Sequence, residues 1–538
     1  QRNQDTDNVT NKMVFKGNIE RITDRDIRIR LRASQQNASV LPLESHYAIE
    51  HDYMDTSFRS MYLGLSAFLS ANKDRRDLLL SQREPEFDTS FDARIAAASN
   101  DFSRITLKAQ AARDYFLLIG PPGTGKTSRA LRGMVEAFYR EGKQILLLSY
   151  TNRAVDEICK TLSVITPEID FIRIGSELSC DPPFRSRLIE NVLEACSTRR
   201  EVHACIEGCR VFVGTVATFS SKTDMFRLKT FDVAIVDEAT QILEPQLLGL
   251  LCARDVAGNN AIGKFILIGD HKQLPAVVLQ SESQSEVCEE CLQSIGLYNL
   301  KDSLFERLYR TVSADHSSPT TQRFYDMLCR QGRMNVEVAQ FPNRAFYGGL
   351  LEAVGLPHQQ GKLVLAPGLE SDEFADILVH RVAFLPSVPE TPSQSAKINH
   401  FEARLTARLA ASVYRQYEAS NSGFNSALTL GVITPYRSQI ALIKREIAAL
   451  GIPVLNDILV DTVERFQGSE RDVIIYSFCV NRTYQLKFLA NLTEEKGVWI
   501  DRKLNVALTR ARKQLFMTGV PHLLRQNPIY ADLLDTVL

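Results

Sequence analysis

Eight residues, Gly120-Pro121-Pro122-Gly123-Thr124-Gly125-Lys126-Thr127, match the pattern G-x-x-x-x-G-K-[ST], in which a glycine-rich turn wraps around phosphate oxygens. The apolar run Tyr115–Ile119 precedes the turn, and residues 128–140 follow it with helical spacing. Glycines let successive backbone N–H groups point inward, and the following helix adds the positive end of its dipole. This order of strand, glycine-rich turn and helix predicts a nucleotide phosphate site in which Lys126 bridges the β- and γ-phosphates and Thr127 holds Mg²⁺.

Two carboxylates, Asp237 and Glu238, directly follow the apolar run at 233–236. At the end of a strand, Asp237 would hold Mg²⁺ from the far side and Glu238 would orient an attacking water as general base. A pair of acids after a strand is a weak signal alone, but together with the glycine-rich turn it predicts nucleotide hydrolysis.

A third polar segment, Gly269-Asp270-His271-Lys272-Gln273-Leu274-Pro275, follows the apolar run at 265–268. The amide of Gln273 is suited to sensing a γ-phosphate or its water by hydrogen bonding. Taken alone, this segment is equally well interpreted as a polar turn after a core strand.

The elements that must position these side chains form two α/β series. Strand-like runs alternate with helical ones at Tyr115–Ile119, 144–149, Phe171–Ile174, 211–214, 233–236 and 265–268, and again after about residue 330 at 428–433, 461–463, 473–478 and 515–519. A helix is predicted at 438–450. Such alternation predicts parallel sheets covered by helices on both faces, with the motifs at the carboxyl ends of the strands.

The segment before the first series has a different pattern. Alternating runs at 14–22 and 27–32 predict a hairpin of a small β-barrel at 1–50, and apolar spacing predicts a helical stalk with a linker at 51–99. Arg28, Arg30 and Arg32 would share one strand face, either as a solvated surface or as a groove for a nucleic-acid backbone. We predict two α/β domains at 100–330 and 331–538, with a helical insertion or a plain surface excursion near 157–210.

The three nucleotide motifs together resemble motifs I, II and III of superfamily 1 helicases. The similarity is greatest to the branch that contains RNA-surveillance helicases, senataxin and the replication nuclease-helicases. This resemblance implies two RecA-like P-loop domains and ATP-driven movement from 5′ to 3′ along a single strand. The segments 149–156, 214–218, 434–439 and 461–470 resemble motifs Ia, Ic, IV and V. By this resemblance, the nucleic-acid backbone is contacted by Thr151 and Asn152 of motif Ia, Thr215 and Thr218 of motif Ic, Pro435 and Tyr436 of motif IV, and Thr462 of motif V.

The resemblance also implies nucleotide contacts from the second domain. Gly468 and Glu470 of the motif V segment face the nucleotide, and Arg510, in the segment Leu504-Asn505-Val506-Ala507-Leu508-Thr509-Arg510, is the arginine finger. Arg333 matches the arginine of a Gln-Tyr-Arg-Met-His segment that reaches the γ-phosphate, although Gly332 stands where the family has a base-stacking aromatic residue. Gln110 is the candidate for reading adenine.

Composition sets limits on the partners. The 538 residues carry a net charge of −1, so a nucleic-acid strand must meet a local basic groove. No run of 18 apolar residues is present, which predicts an intracellular protein without a membrane span. The pairs Cys205/Cys209 and Cys288/Cys291 match zinc spacings poorly. Because the chain begins with Gln1, we expect further domains before it in a longer polypeptide.

The function expected from the sequence is that of an ATP- and Mg²⁺-dependent translocase or helicase on single-stranded nucleic acid. DNA is favoured over RNA by a small margin, because the predicted barrel and stalk resemble those of the replication-type members of the branch. The motifs themselves do not reveal a contact to the 2′-hydroxyl. An RNA helicase of the same branch and an ATP-switched clamp that separates no duplex are the alternatives.

Overall fold

The structure is a computed structural model that describes residues 17–23, 25–31, 56–278, 280–314, 321–390, 396–495 and 497–538. It divides into two compact units, Gln1–Arg59 and Ser60–Leu538. Among the described residues, no helix is both long and apolar enough to cross a membrane.

The first unit contains an antiparallel hairpin of strands β1 (Gly17–Ile22) and β2 (Ile27–Leu31), as the alternating pattern predicts. Arg30 forms an ion pair with Glu20 at 2.6 Å while its side chain stays 55% exposed, which fits the solvated-face interpretation. The other strands of the predicted barrel and Arg32 lie outside the described residues, so the barrel stays a prediction.

Four helices precede the first large sheet: α1 (Thr56–Ser70), α2 (Lys73–Leu79), α3 (Asp92–Ala96) and α4 (Asp101–Ala111). The buried Arg75 of α2 donates hydrogen bonds to the carbonyls of Ile262 and Gly263 at 2.7 and 2.8 Å, so this helix is anchored to the body of the unit. The end of the stretch predicted as a helical stalk with a linker, 51–99, contains α3, and Phe87 forms a short antiparallel bridge with Ala112.

Seven parallel strands of the described chain form the first large sheet, in the order β5-β6-β4-β7-β8-β3-β9. They are β3 (Tyr115–Ile119), β4 (Ile145–Ser149), β5 (Phe171–Ile174), β6 (Val211–Thr215), β7 (Phe231–Asp237), β8 (Ile262–Gly269) and β9 (Tyr325–Met327). The central strands are buried throughout because apolar side chains pack on both faces of the sheet.

The helices around this sheet are α5 (Arg132–Arg140), α6 (Asn152–Ser163), α7 (Ile189–Val192), α8 (Arg199–Gly208), α9 (Val216–Ser221), α10 (Glu244–Leu251), α11 (Glu282–Ser285), α12 (Glu290–Gln293) and α13 (Leu304–Ser313). We call the sheet with these helices the first lobe. The segment 157–210 contributes β5 to the edge of the sheet and the short helices α7 and α8.

The second large sheet has five parallel strands in the described chain, in the order β12-β18-β15-β13-β14. The strands of this part of the chain are β10 (Arg330–Gln331), β11 (Glu352–Ala353), β12 (Val382–Pro386), β13 (Leu430–Ile433), β14 (Leu459–Asp461), β15 (Arg471–Ser477), β16 (Leu492–Glu495), β17 (Val498–Asp501) and β18 (Ala511–Gly519). Strands β10 and β11 form a separate parallel pair, and β16 and β17 form an antiparallel one.

The helices of this second lobe are α14 (Val336–Tyr347), α15 (Pro357–Gln360), α16 (Ala375–Leu378), α17 (His400–Ala419), α18 (Arg437–Ala449), α19 (Val463–Phe466), α20 (Leu486–Leu489), α21 (Arg502–Leu508), α22 (Pro521–Leu524) and α23 (Pro528–Val537). The mixed α/β fold with two parallel sheets is therefore confirmed. The strand predicted at 461–463 is misplaced, because β14 ends at Asp461 and Val463 begins a helix. Strands β9 and β12 were not predicted, and the boundary at residue 330 stays a prediction.

Candidate nucleotide and nucleic-acid sites

The glycine-rich turn leaves β3 and curls around the side chain of Lys126. A Cβ atom on Gly120 would lie 2.7 Å from the Lys126 Cβ, so only glycine fits there. Gly123 and Gly125 adopt left-handed φ angles of +73° and +80°, and the buried Thr124 closes the turn by donating its hydroxyl to the Pro121 carbonyl at 2.7 Å. The chain continues as a wider π-helical turn, Lys126–Leu131, before α5.

Lys126 and Thr127 meet the two predicted carboxylates. The Lys126 Nζ lies 2.7 Å from Glu238 Oε1, and the Thr127 hydroxyl donates to Asp237 Oδ2 at 2.7 Å. Strand order explains this convergence, because β7, β8 and β3 are neighbours and their carboxyl ends meet at one edge. A hydroxyl and a carboxylate in contact are the hard oxygen donors that Mg²⁺ prefers, so the residues present fit the expected ion.

Electrostatics in this pocket fix the charge of each group. Burial opposes the charge of Lys126, yet Glu238 and Asp237 raise its pKa. Burial also opposes ionisation of Glu238, but Lys126 lowers the pKa of that carboxyl. Burial raises the pKa of Asp237 despite the nearby Lys126. The pocket thus holds one ammonium group that is paired with Glu238 and ready to bind phosphate oxygens instead.

Glu238 has a backbone conformation that is rare for its residue type. Its φ of +55° lies in the left-handed region, a conformation that costs on the order of 1–3 kcal/mol for a residue with a side chain. Gln241 donates its amide to Glu238 Oε2 at 2.9 Å and holds the carboxylate towards Lys126. Such strain is typical of a functional position.

The third predicted motif joins the two lobes. Gln273 donates to Asp270 Oδ2 at 2.7 Å, and the Tyr347 hydroxyl of the second lobe donates to the same oxygen at 2.7 Å. Asn505 donates to the Tyr347 hydroxyl at 2.9 Å and to the Lys272 carbonyl at 2.7 Å. Gln273 therefore lies in a buried polar network between the lobes, and it is more than a polar turn.

Arg510 of the second lobe reaches this network. Its Nη2 donates to Gln273 Oε1 at 3.2 Å, and its side chain is buried. Burial and the nearby Arg333 lower the pKa of Arg510 to about 9, and Glu238 acts in the opposite direction. The guanidinium therefore stays charged at neutral pH and points towards the Lys126 and Glu238 pocket.

The segment with Arg333 packs directly on the glycine-rich turn. The Gly332 N–H donates to the Gly123 carbonyl at 2.8 Å, and a Cβ on Gly123 would lie 2.4 Å from the Arg333 Cβ. Arg333 Nε donates to Glu470 Oε2 at 2.6 Å. Burial opposes ionisation of Glu470, but Arg333 lowers its pKa.

The expectation that every motif lies at carboxyl ends of strands is wrong for the second lobe. Gly468 and Glu470 precede β15, and Arg510 precedes β18, so these groups lie at amino ends of the second sheet. The second lobe thus meets the glycine-rich turn and the acid pair of the first lobe with the amino edge of its sheet.

Gln110 is not brought to the pocket. Its amide donates to Glu141 at 2.5 Å beyond the far end of α5, on the side of the sheet where β3 begins. The side chain of Arg129 lies beside Gly125, and its guanidinium lies over the ring of Phe102, 5.6 Å from the ring centroid. The assignment of Gln110 to adenine therefore fails, because α4 places this residue about one strand length from the turn.

The predicted strand contacts of the first lobe follow β4 and β6, which are neighbours in the sheet. Thr151 and Asn152 are exposed, and Thr151 caps α6 by accepting a hydrogen bond from the Ala154 N–H at 3.2 Å. Thr215 is buried and accepts from the Thr218 N–H at 3.1 Å as the cap of α9, so its hydroxyl already has a structural role. Thr218 is partly exposed.

The predicted contacts of the second lobe follow β13 and β14. Pro435 and Tyr436 are partly exposed, and the Tyr436 hydroxyl accepts a hydrogen bond from Gln485 at 3.2 Å. Thr462 lines a cavity of about 580 Å³ together with Arg437 and Arg465. These residues lie at the carboxyl edge of the second sheet, away from Arg510 and Glu470.

Three ion pairs between the lobes were not predicted. Arg502, the first residue of α21, contacts Glu306 of α13 at 2.5 Å, and both side chains are at most 10% exposed. Glu495 lies 3.2 Å from His271 and 3.1 Å from Lys272. Burial opposes ionisation of Glu495, but His271 and Lys272 lower its pKa to about 2. The partners lie about 200 residues apart in the sequence, and the charges of these residues do not by themselves indicate which of them pair.

The cysteine pairs are not bonded to each other in this structure, since Cys205, Cys209, Cys288 and Cys291 are all free thiols. Within the described ranges, no group of three or more His, Cys, Asp or Glu side chains is arranged to hold a metal ion.

One protein family described as an AAA domain matches residues 98–204 and 190–281 of the chain. A second family with the same description matches residues 300–522. The chain is 29% identical over 529 residues to the DNA replication ATP-dependent helicase/nuclease JHS1 of Arabidopsis thaliana, covering 95% of this chain and 36% of that protein. Identity to the helicase/nuclease DNA2 is 28% in Bos taurus, covering 92% of this chain and 45% of that protein. Identity to the helicase/nuclease DNA2 of Xenopus laevis is 32%, covering 77% of this chain and 36% of that protein. The chain thus spans less than half the length of these relatives.

Proposed function

Because the chain belongs to the DNA2/NAM7-like branch of the superfamily 1 helicases, we propose that it is an ATP-dependent helicase that moves along a single DNA strand. The observation that carries this proposal is the meeting of Arg510 from one lobe with Gln273 from the other, beside the pocket of Lys126, Asp237 and Glu238.

The residues of the chain divide the chemistry of hydrolysis between them. Bound ATP would supply the phosphoryl group that is transferred to water, and bound Mg²⁺ would offset the negative charge on its oxygens. Lys126 would exchange its contact with Glu238 for phosphate oxygens, and Thr127 and Asp237 would hold the ion. Glu238 is then free to accept a proton from the attacking water, and Gln241 keeps the carboxylate oriented.

Arg510 couples this chemistry to movement of the lobes. A charged guanidinium from the second lobe stabilises the transferring phosphoryl group only while the lobes are closed, so hydrolysis and separation of the lobes are linked. Gln273, through Asp270 and Tyr347, connects the same event to the body of the second lobe. Arg129 and Phe102 are proposed to lie against the base.

The proposed path of the strand follows motifs Ia and Ic in the first lobe and motifs IV and V in the second. The first lobe contributes the exposed Thr151 and Asn152 and the partly exposed Thr218, and the second lobe contributes the partly exposed Pro435, Tyr436 and Thr462. Movement from 5′ to 3′ is proposed from the family resemblance. An enzyme with this track is expected to act inside the cell, where DNA is found.

Replacing Lys126 by Ala tests the proposal. Loss of the ammonium removes the main phosphate contact, and we expect strand-stimulated ATP hydrolysis to fall by at least 100-fold. Lys143→Ala, which changes a half-exposed lysine of the same lobe, serves as the control and should hydrolyse ATP normally. An unchanged rate in Lys126→Ala would refute the assignment.

The alternatives separate in strand-release assays. A forked duplex with a 5′ tail should be opened faster than one with a 3′ tail if the proposed direction is right. Release from neither fork, despite strand-stimulated ATP turnover, would identify a nucleotide-switched clamp. A preference for RNA forks of the same sequence would identify RNA as the track.

A further inference from the structure

We propose that Tyr484 and Phe488 form a base-stacking site that extends the path of the strand beyond Tyr436. This inference rests on the proposed function and identifies where unpaired bases are held. The two rings form an edge-to-face pair, with centroids 6.5 Å apart and an interplanar angle of 86°. Tyr484 is 56% exposed and Phe488 is 65% exposed, so both rings are available to a ligand.

The local fold explains why these rings face solvent. Residues 483–489 form a short helical segment that follows the end of β15, and Gln485, Leu486 and Leu489 are its buried side. Tyr484, Lys487 and Phe488 are left on the opposite side. Two aromatic rings in contact on a solvated surface form an apolar patch, and a ligand that covers it gains the free energy of burial.

Gln485 ties this segment to the predicted strand contact at Tyr436. Its Nε2 donates to the Tyr436 hydroxyl at 3.2 Å and to the Ala396 carbonyl at 2.9 Å. Its Oε1 accepts from the N–H groups of Asn481 and Arg482, both at 2.9 Å. Gln485 is therefore a positioning residue that fixes the aromatic segment beside Tyr436 before any ligand binds.

Charge around the rings favours a nucleic-acid strand as the ligand. Arg437, Arg482 and Lys487 are exposed, and none of them has a carboxylate within ion-pair distance among the residues that the structure describes. Arg437 directly follows Tyr436, and Lys487 directly precedes Phe488. Aromatic side chains interleaved with unpaired cations are the combination that holds single strands, since the rings stack on bases and the cations meet phosphates.

The angle between the rings limits how they bind. Two rings that are nearly perpendicular cannot both lie parallel to the same base, so Tyr484 and Phe488 each stack on a different base or one ring packs against the edge of a base held by the other. In either arrangement the contact needs the base and not only the backbone.

A comparison of two oligonucleotides tests the site. Fluorescence anisotropy would measure binding of a labelled 20-nucleotide thymidine strand and of a strand of the same length with abasic positions in its centre. The Tyr484→Leu/Phe488→Leu variant should bind the thymidine strand on the order of 10-fold more weakly than the wild type and bind the abasic strand equally well. Tyr298→Leu, which changes a ring that is 51% exposed elsewhere, should leave both affinities unchanged.

Other results would overturn the inference. Equal binding of the thymidine strand by wild type and double variant would show that the rings do not stack on bases. Equal loss on both strands would show that the substitutions disturb the surface as a whole. Wild-type protein that binds neither strand would refute the proposed function itself. Loss of binding to phosphatidylserine vesicles, with the thymidine affinity retained, would identify a membrane surface as the ligand instead.

Discussion

Substitution of Glu402 by Gln should stabilise the protein above neutral pH. Glu402 is fully buried in the first turn of α17. Its carboxyl accepts hydrogen bonds from the hydroxyls of Ser387 and Ser477 at 3.0 and 2.7 Å and from the Cys479 N–H at 2.9 Å. Although these bonds favour the ionised form, burial outweighs them and raises the pKa of Glu402 to about 7.

The size of the effect follows from the difference in pKa between the folded and unfolded chains. With an unfolded pKa near 4.5, the folded protein binds the proton more tightly, so protonation stabilises it fully below about pH 4.5. At about 1.36 kcal/mol per pKa unit, this contribution to the free energy of unfolding is about 3 kcal/mol. It is lost as the pH rises towards about 7, the pKa of Glu402 in the folded protein. The carboxamide of Gln has the same shape, can keep these three contacts and does not titrate.

Thermal unfolding at pH 5 and pH 8 provides the assay. From pH 5 to pH 8 the wild type should lose about 2–3 kcal/mol relative to Glu402→Gln, which corresponds to a relative fall in Tm on the order of 5–10 °C for a lobe of this size. Glu418→Gln, an exposed position on the same helix, is the control and should follow the wild type. If the Tm difference between wild type and Glu402→Gln is the same at both pH values, the reasoning is refuted.

Two further substitutions probe the interface between the lobes. Arg502→Met leaves Glu306 buried without its cation, which should cost about 3–5 kcal/mol, lower kcat for ATP through misplacement of Arg510 and leave KM nearly unchanged. Adding Glu306→Gln to Arg502→Met should recover part of the lost stability. If Arg502→Met alone has the same Tm as the wild type, the predicted cost of the unpaired Glu306 is wrong. Gly123→Ala drives a Cβ into Arg333 and should abolish nucleotide binding measured with a fluorescent ATP analogue. Gly142→Ala has a similar φ of +78° but open space around it, so it should bind normally, and equal loss in both would point to backbone strain alone.

The sequence by itself determined the local chemistry of the nucleotide site. The spacing of Gly120, Gly123 and Gly125 before Lys126 favours a curled turn between a strand and a helix, because Gly123 and Gly125 adopt left-handed φ angles and a Cβ on Gly120 would clash with Lys126. An apolar run that ends in Asp237 and Glu238 likewise predicts a buried strand with acids at its tip. These features depend on neighbours in the chain, so periodicity and residue type were sufficient to find them.

Strand predictions succeeded where several buried apolar residues followed one another, as in β3 and β4. They failed for β9, which has only three residues of mixed composition, and for β12, a five-residue apolar segment that ends in Pro386, because so short an apolar run does not distinguish a strand from other buried segments. The strand expected at 461–463 was displaced for a similar reason, since β14 is only three residues long and pairing with β13 sets where it ends.

Only the tertiary structure decided which distant groups meet. Arg510 reaches Gln273 from the amino edge of the second sheet, Glu306 pairs with Arg502, and Gln110 lies at the wrong end of β3 to approach the turn. Such contacts depend on strand order and on the packing of one lobe against the other. Neither the strand order nor the packing of the lobes can be predicted from the spacing of residues along the chain, because the fold as a whole brings together partners that are about 200 residues apart.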